Sequence, residues 1–419
     1  MFDIAKLSNG LQVIGEKLDY VRSCSIGVWI NVGSMNETPE ENGLSHFIEH
    51  MVFKGTEKRT TREIAEETDM IGGQLDAFTS KECTCFYAKV TDDTLETAVD
   101  LLGDITLHAR FDPEELNKER GVVLEEIGMT EDTPDDLVLE ILNDVQYSGS
   151  LRLPILGPEA RILSYTREDL LRFWEKHYTA GNMVLSIAGN YDWNAFLKLV
   201  EKYFDCFPSS ANERLVSKPN HFCPGRAFRE KEGEQVHICL GFPGVASGSD
   251  DGYPMSVFCN AIGGGMSCRL FQRIREELGL AYNVYAFPES YRDTGVFQVY
   301  AATGPENAAT VIREIQGELC KVLENGITEK EFRSAKAQLR GGFLLGLESS
   351  SGRMQSLGRS RLILGNVRTN EEILEKIDSI TMDDVSRIAH ATLSGEFSAA
   401  VVGPKAGEFI GEFKSGKLI

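Results

Sequence analysis

The feature that most constrains the fold of this chain is a weak internal duplication. In each half, a strand, a helix, a turn and a long helix follow one another. FDPEELNKE at 111–119 and ITEKEFRSA at 327–335 take matching places, 216 positions apart. CSIGVWINVG at 24–33 parallels VHICLGFPGV at 236–245, 212 positions apart. A repeat this long indicates duplication of a whole domain, because solenoid repeats are only about 20–50 residues long.

The long polar stretch near the middle of the chain marks a boundary between the halves. It reads PSSANERLVSKPNHFCPG and covers residues 208–225. We therefore predict a first domain over residues 1–210, a linker over 211–225 and a second domain over 226–419. The length of 419 residues agrees with this division, since it is large for a single core and natural for two.

Apolar strands alternate with amphipathic helices within each half. In the first half, GQLDAFTS and ECTCFYAKV form a strand pair, and helical patterns follow at 92–109, 112–133 and 135–146. Strands that arrive in pairs and are followed by runs of helices indicate α+β layering. The predicted fold class is therefore α+β, with two similar domains that each pack helices on an antiparallel-rich β-sheet.

Charge and hydropathy restrict the partners that this chain can have. Acidic residues outnumber basic ones by 64 to 43, and the formal charge of −21 repels nucleic acid and anionic lipid but attracts basic peptides. Such acidity can equally serve solubility alone. There is no run of about 18 apolar residues and no apolar signal-peptide core near the start. We expect no nucleic-acid or membrane partner, a cytoplasmic location and nine free thiols.

The chemistry of the first half is concentrated in GLSHFIEHMVFKG, residues 43–55, which holds two of the seven histidines. On a helix, His46, Glu49 and His50 share one face, because positions three and four apart are neighbours. Two imidazoles at this spacing can bind one metal ion, and H-x-x-E-H is the inverzincin motif. Glu49 would be placed to accept a proton from water. The alternatives are a chance match to the motif and a buried structural histidine pair. The second leaves a costly carboxylate on an apolar helix face unexplained.

A zinc hydrolase needs a third protein ligand and an open fourth position. The helical stretch NKERGVVLEEIGMTED, residues 117–132, offers Glu119, Glu125, Glu126 and Glu131. Glu119 and Glu126 are seven residues apart and point the same way, whereas Glu125 is turned by about 100° and is expected in solvent. Spacing alone does not choose between Glu119 and Glu126 as the ligand.

The combination of GLSHFIEHMVFKGT and LEEI, whose second glutamate follows the second histidine by 76 residues, resembles the M16 peptidases. This family includes pitrilysin, insulin-degrading enzyme and mitochondrial processing peptidase. The resemblance covers essentially the whole chain, and the length matches the short, processing-peptidase-like branch. It implies that His46, His50 and Glu126 bind one zinc ion (Zn2+) per chain. It further implies that Glu49 is the general base and that Glu119 orients the ligands from behind.

The second half contains no H-x-x-E-H, so we expect a metal only in the first half. The resemblance implies that an arginine and a tyrosine seven residues later complete the active site, and Arg275 and Tyr282 in REELGLAY have this spacing. A guanidinium and a phenol can donate hydrogen bonds to substrate. Without the resemblance, the same stretch is a helix that ends at Gly279 and precedes a strand.

The segment GGQLDAFTSKECTCFYA resembles the family's substrate-pairing strand. An exposed sheet edge can bind an extended peptide through main-chain hydrogen bonds, and the resemblance places Ala77, Phe78 and Thr79 in that role. Asp76 stands where the family often has asparagine, so no side-chain contact is predicted for it.

The resemblance also implies an arrangement and an activity. The two domains are expected to form a clamshell around a chamber that admits peptides and unfolded or presequence-like segments. The predicted function is that of a zinc-dependent endopeptidase, with basic peptide substrates favoured by the acidic surplus. Because the zinc set and the arginine–tyrosine pair occur in one chain, we expect a homodimer of self-sufficient chains. The alternatives are a non-catalytic or partner-dependent subunit and a peptidase dedicated to a single precursor peptide.

Overall fold

The structure, a computed structural model, describes residues 2–208, 219–413 and 416–418. The chain forms two compact units, and each is assembled from three segments. Unit 1 comprises Met1–Ile127, Leu153–Ser217 and Leu345–Val367, and unit 2 comprises Gly128–Arg152, Lys218–Leu344 and Arg368–Ile419. The units therefore exchange segments between the two sequence halves. The predicted domain boundaries stay a prediction, and residues 211–218 of the predicted linker lie outside the described residues.

The strands fall into two groups along the chain, one for each sheet. They are β1 (Asp3–Lys6), β2 (Gln12–Lys17), β3 (Ser23–Ile30), β4 (Gln74–Thr79), β5 (Thr84–Thr91), β6 (Met183–Gly189), β7 (Arg226–Glu230), β8 (Val236–Pro243), β9 (Asn283–Ser290), β10 (Gly295–Thr303) and β11 (Ser398–Gly403).

The α-helices of four residues or more occupy much of the remaining chain. They are α1 (Leu44–Met51), α2 (Thr61–Met70), α3 (Leu95–Leu107), α4 (Pro113–Asp132), α5 (Pro134–Gln146), α6 (Glu159–Ser164), α7 (Arg167–His177), α8 (Trp193–Phe204), α9 (Gly252–Gly263), α10 (Ala308–Asn325), α11 (Glu329–Gly346), α12 (Ser350–Arg359), α13 (Asn370–Ser379), α14 (Met382–Leu393) and α15 (Ala406–Phe409). Phe271–Glu277 and Ser360–Leu364 are π-helical.

The two sheets have matching topologies. The sheet of unit 1 has the order β1-β2-β6-β3-β5-β4, and the sheet of unit 2 has the order β7-β11-β8-β10-β9. In unit 1 only β2 and β6 pair in parallel, and in unit 2 only β7 and β11 do, within the described residues. The orders coincide when β7 is matched to β2, apart from the additional edge strand β1. This confirms the predicted class, α+β with two similar antiparallel-rich domains.

Each sheet is covered on both faces, which explains why its central strands are apolar throughout. In unit 1, β3 has its side chains buried on both faces, and the face opposite α1 and α3 is covered by α12. In unit 2 the helix α5 covers the corresponding face of β8 and β11. Because α12 comes from the second sequence half and α5 from the first, each half supplies a covering helix to the other half's sheet.

The contact of α12 with its sheet is close and specific. The indole Nε1 of Trp29 donates to Ser186 Oγ at 2.8 Å, and Ser186 Oγ donates to the carbonyl of Met354 at 3.0 Å. Gly358 lies against the same indole, where a Cβ atom would be 2.0 Å from Nε1. Glycine is therefore required by packing at this position of the helix.

Two further observations concern the chain as a whole. All nine cysteines are free thiols, as predicted. Among the described residues, no helix has the length and apolar character needed to cross a bilayer.

Candidate active site

The site begins on the short helix α1 of unit 1. Leu44, Phe47, Ile48 and Met51 form its buried stripe, at the spacing that puts four residues on one helical face. The opposite side of the helix carries both histidines and Glu49. The rings of His46 and His50 are 4.6 Å apart between centroids, so successive turns present two imidazoles side by side.

The helix α4 brings the carboxylate of Glu126 to this pair. Glu126 Oε2 lies 3.5 Å from His46 Nε2 and 3.5 Å from His50 Nε2. Zinc–ligand bonds of about 2.0–2.2 Å at tetrahedral angles place neighbouring ligand atoms about 3.4 Å apart, which matches both distances. The three side chains thus have the spacing of ligands to one ion.

The structure distinguishes Glu119 from Glu126, between which the sequence does not choose, and places Glu125 where it is expected. Glu126 faces the two Nε2 atoms, Glu125 is exposed, and Glu119 is buried behind the histidines. Glu119 Oε2 is 3.1 Å from His50 Nδ1, and Lys54 Nζ is 2.7 Å from Glu119 Oε1. A proton on His50 Nδ1 leaves the Nε2 lone pair directed towards Glu126, so Glu119 fixes the tautomer that a metal requires.

The protonation states of the side chains in this group are also those that metal binding requires. Burial, together with the neighbouring His50, lowers the pKa of His46 to about 3, so this imidazole is neutral at physiological pH. Burial lowers the pKa of His50, but the carboxylates around it, Glu119 first, outweigh burial and raise the pKa overall. Burial raises the pKa of Glu119, whereas the hydrogen bonds from His50 and Lys54 prevail and lower it. A neutral histidine, a carboxylate-oriented histidine and a carboxylate form a donor set that fits zinc.

Glu49 lies beside the ligands and is held by the sheet. The hydroxyl of Thr79, at the end of β4, donates to Glu49 Oε2 at 2.5 Å. Burial raises the pKa of Glu49, and the Thr79 hydrogen bond acts in the opposite direction. A desolvated carboxylate with a raised pKa accepts protons more readily than one in water.

The predicted substrate strand is an edge strand. In the described residues β4 pairs only with β5, through the register Ala77↔Phe86 and Thr79↔Thr84, so its other side has no strand partner. The carboxylate of Asp76 lies along this strand and accepts a hydrogen bond from the Ala77 backbone N–H at 2.8 Å. The edge of β4 that has no strand partner in the described residues therefore ends beside Glu49, which Thr79 contacts, while its Ala77 N–H is bonded to Asp76.

The predicted arginine–tyrosine pair lies in unit 2, where its members contact each other. Arg275 Nη1 donates to the carbonyl of Tyr282 at 2.9 Å. The guanidinium carbon stands 4.2 Å from the centre of the Tyr282 ring and 4.8 Å from that of Phe271. The Tyr282 side chain is 70% exposed, so its phenol is open to a ligand. The role assigned to this pair stays a prediction.

Sequence reasoning missed two parts of this site. Lys54 follows α1 directly, but its partner Glu119 is far along the chain, and no local pattern links them. Thr79 was assigned through its main chain only, whereas the structure shows its hydroxyl on Glu49. Both contacts join an element to one that the folded chain brings near, so local periodicity holds no signal for them.

The fold and the site together define a duplicated α+β protein in which two histidines and one carboxylate of unit 1 have the spacing of metal ligands. Comparison with known families agrees with this class. The family model described as insulinase (peptidase family M16) matches residues 12–159, and that described as the peptidase M16 inactive domain matches residues 164–339. The chain belongs to peptidase family M16.

Curated relatives and solved structures extend over nearly the whole chain. The uncharacterized zinc protease YmxG of Bacillus subtilis is 42% identical over 397 residues, which are 94% of this chain and 97% of that protein. The uncharacterized zinc protease ML0855 of Mycobacterium leprae is 40% identical over 405 residues, 96% of this chain and 91% of that protein. A protease from Helicobacter pylori has the same fold, with a TM-score of 0.91 and 21% identity, covering 96% of this chain and 100% of that one.

Proposed function

We propose that the protein is a zinc-dependent endopeptidase that hydrolyses peptides or unfolded segments. The observation that carries the proposal is the convergence of His46 Nε2, His50 Nε2 and Glu126 Oε2, with Glu49 beside them. The zinc protease names of its relatives support the same activity. When bound, zinc supplies Lewis acidity, which polarises a peptide carbonyl and acidifies water.

Glu49 acts as the general base in this proposal. Its carboxylate accepts a proton from the attacking water and donates it to the leaving amine nitrogen, which is the usual pair of tasks for one positioned acid–base group. Its buried setting and raised pKa favour both steps. The Thr79 hydroxyl holds the carboxylate in place, so that little reorganisation is needed during the reaction.

The edge of β4 would bind the substrate. An extended peptide can add to such an edge through main-chain hydrogen bonds at Ala77, Phe78 and Thr79, which makes recognition tolerant of sequence. The acidic surplus of the chain, 64 acidic against 43 basic residues, supports a preference for basic substrates. Arg275 and Tyr282 would donate hydrogen bonds to the substrate, as the resemblance implies.

The first test measures zinc content and peptidase activity in the wild type, Glu49→Gln and Glu125→Gln. Quenched basic and acidic peptide series serve as substrates. Glu125 is the matched control, because it is an exposed carboxylate next to a ligand. We expect about one zinc per chain in all three proteins and a loss of activity only in Glu49→Gln. Basic peptides should be cleaved faster, with a rate advantage that declines as salt is added.

The outcomes separate this function from its alternatives. Activity that survives in Glu49→Gln would contradict the role of Glu49. Zinc without activity towards any peptide would support a partner-dependent subunit or a peptidase dedicated to one precursor. The absence of bound zinc would remove the basis of the proposal. We also propose that the active protein is a homodimer. Light scattering on the same samples tests this, and a monomeric active enzyme would contradict it.

A further inference from the structure

The start of the helix α1 is stabilised by a residue outside the helix. Gly43 precedes the first helical residue with φ of 99°, and it offers no side chain to cap the free N–H groups. The carboxylate of Glu37 takes this role instead. Its Oε2 accepts from the Gly43 N–H at 2.8 Å, and its Oε1 accepts from the Ser45 N–H at 2.7 Å. The side chain of Glu37 is buried, and Ser45 is adjacent to the ligand His46.

Further hydrogen bonds hold this helix start in one place. The Asn42 side-chain amide donates to Glu37 Oε2 at 2.9 Å and to the carbonyl of Pro154 at 2.8 Å. The Tyr165 hydroxyl donates to the carbonyl of Asn42 at 2.9 Å. Gly43 itself is packed so closely that a Cβ atom there would lie 2.8 Å from the carbonyl oxygen of Leu156.

The chemistry of these contacts requires a carboxylate. Every group that Glu37 is bonded to in the described residues is an N–H donor, from Asn42, Gly43 and Ser45. A negative charge at a helix N-terminus is favoured by the helix dipole. Burial raises the pKa of Glu37 to about 7, and hydrogen bonds from Asn42, Ser45 and Gly43 oppose this rise. A pH of 8 lies above this pKa and favours the ionised form.

We infer that Glu37 is a positioning residue for the metal centre. By fixing the first turn of α1, it sets the place of His46 relative to His50 and Glu126. This inference rests on the proposed zinc site and extends it to a residue that touches neither the metal ligands nor the substrate strand. Partners behind a metal ligand typically contribute about 10- to 100-fold to metal affinity.

The variant Glu37→Gln tests the inference, because it keeps the size of the side chain but not its charge. Its amide must point an NH2 group at one of the three donors, whichever way it turns. The matched control is Glu63→Gln. Glu63 also caps a helix, α2, by accepting from the Thr60 N–H at 2.7 Å, but α2 carries no proposed ligand.

Three measurements at pH 8 distinguish positioning from stability. They are the zinc affinity by chelator competition, the visible spectrum of the Co2+-loaded protein, and the stability of the metal-free protein in urea. We expect Glu37→Gln to lose at least about tenfold in zinc affinity and to shift the Co2+ bands. Glu63→Gln, whose amide oxygen can still serve the capping box, should keep the wild-type affinity and spectrum.

The opposite result is equally clear. A folded Glu37→Gln protein with wild-type zinc affinity and an unchanged Co2+ spectrum would overturn the inference and leave the zinc site intact. A wild type that binds no zinc would instead overturn the proposed function. If Glu37→Gln does not fold, the zinc affinity of Asn42→Ala tests the inference instead. It removes one donor to Glu37, so a reduced zinc affinity supports the inference and an unchanged one refutes it.

Discussion

The hydrogen bond from Thr79 to Glu49 permits a sharp test of the proposed general base. The Thr79 hydroxyl donates to Glu49 Oε2 at 2.5 Å, from the last residue of β4. In Thr79→Val a methyl group replaces the hydroxyl at nearly constant volume, and the β-branched shape that suits a strand is kept. Thr79→Ser retains the donor. The pair of variants therefore separates the hydrogen bond from the shape of the side chain.

The magnitude follows from the charge of the acceptor. A hydrogen bond to a charged group contributes about 1.5–3 kcal/mol, and about 1.4 kcal/mol corresponds to a tenfold change. If this bond holds the carboxylate in its reactive position, Thr79→Val should lower kcat by about 10- to 100-fold. Zinc content should remain that of the wild type, because Thr79 has no hydrogen bond to a ligand in the described residues.

The assay is steady-state cleavage of a quenched peptide by zinc-loaded protein, with kcat and KM determined separately. Thr79→Ser should stay close to the wild type. The reasoning fails if Thr79→Val retains wild-type kcat with full zinc content. It also fails if the serine variant loses as much activity as the valine variant, since the hydroxyl would then not be the cause.

Three further predictions address the metal, the core and the packing. Glu119→Gln should lower zinc affinity by about 10- to 100-fold in chelator competition, whereas Glu125→Gln should leave it unchanged. His177 is fully buried without a hydrogen-bond partner among the described residues, and burial lowers its pKa to about 3. Below about pH 6.5 the folded state thus binds fewer protons than the unfolded state. The free energy of unfolding therefore decreases as the pH is lowered, by about 2 kcal/mol at pH 5 relative to neutral pH. Replacing His177 by phenylalanine should remove this loss in urea titrations at pH 7.5 and 5, and an unchanged pH dependence would contradict it. In urea titrations, Gly358→Ala should destabilise unit 1 by about 1–3 kcal/mol through overpacking, whereas Gly341→Ala, in open space on α11, should be neutral or stabilising.

Much of the fold could be predicted because the apolar residues recur with the local periodicity of helices and strands. The helical patterns at 92–109, 112–133 and 135–146 correspond to α3, α4 and α5, and the predicted strand pair corresponds to β4 and β5. Duplication then implied two similar sheets, which the strand orders confirm. The exchange of α5 and α12 between the halves could not be predicted from periodicity. An apolar helix face predicts that the helix is buried, but it does not indicate which sheet the helix covers.

The proposed metal site likewise has a part that follows from local periodicity and a part that does not. His46 and His50 are four residues apart on one helix, so their approach follows from helix geometry. Glu119 and Glu126 share a face of α4, and periodicity makes them equivalent. The structure separates them because seven residues advance about 10 Å along a helix. One carboxylate therefore reaches the Nε2 side of the histidines and the other reaches the Nδ1 side of His50.

The N-terminus of α1 has no capping side chain at the residue before the helix. The helices α2, α7, α13 and α14 each begin after a threonine whose hydroxyl accepts from a first-turn N–H, in solvent-exposed capping boxes. These caps belong to the same stretch of chain as the helix. The helix α1, which carries the two proposed histidine ligands, begins after Gly43, so its free N–H groups must find an acceptor elsewhere if they are buried. Glu37 supplies that acceptor, and a buried helix without a local cap therefore ties the geometry of its ligands to the loop before it.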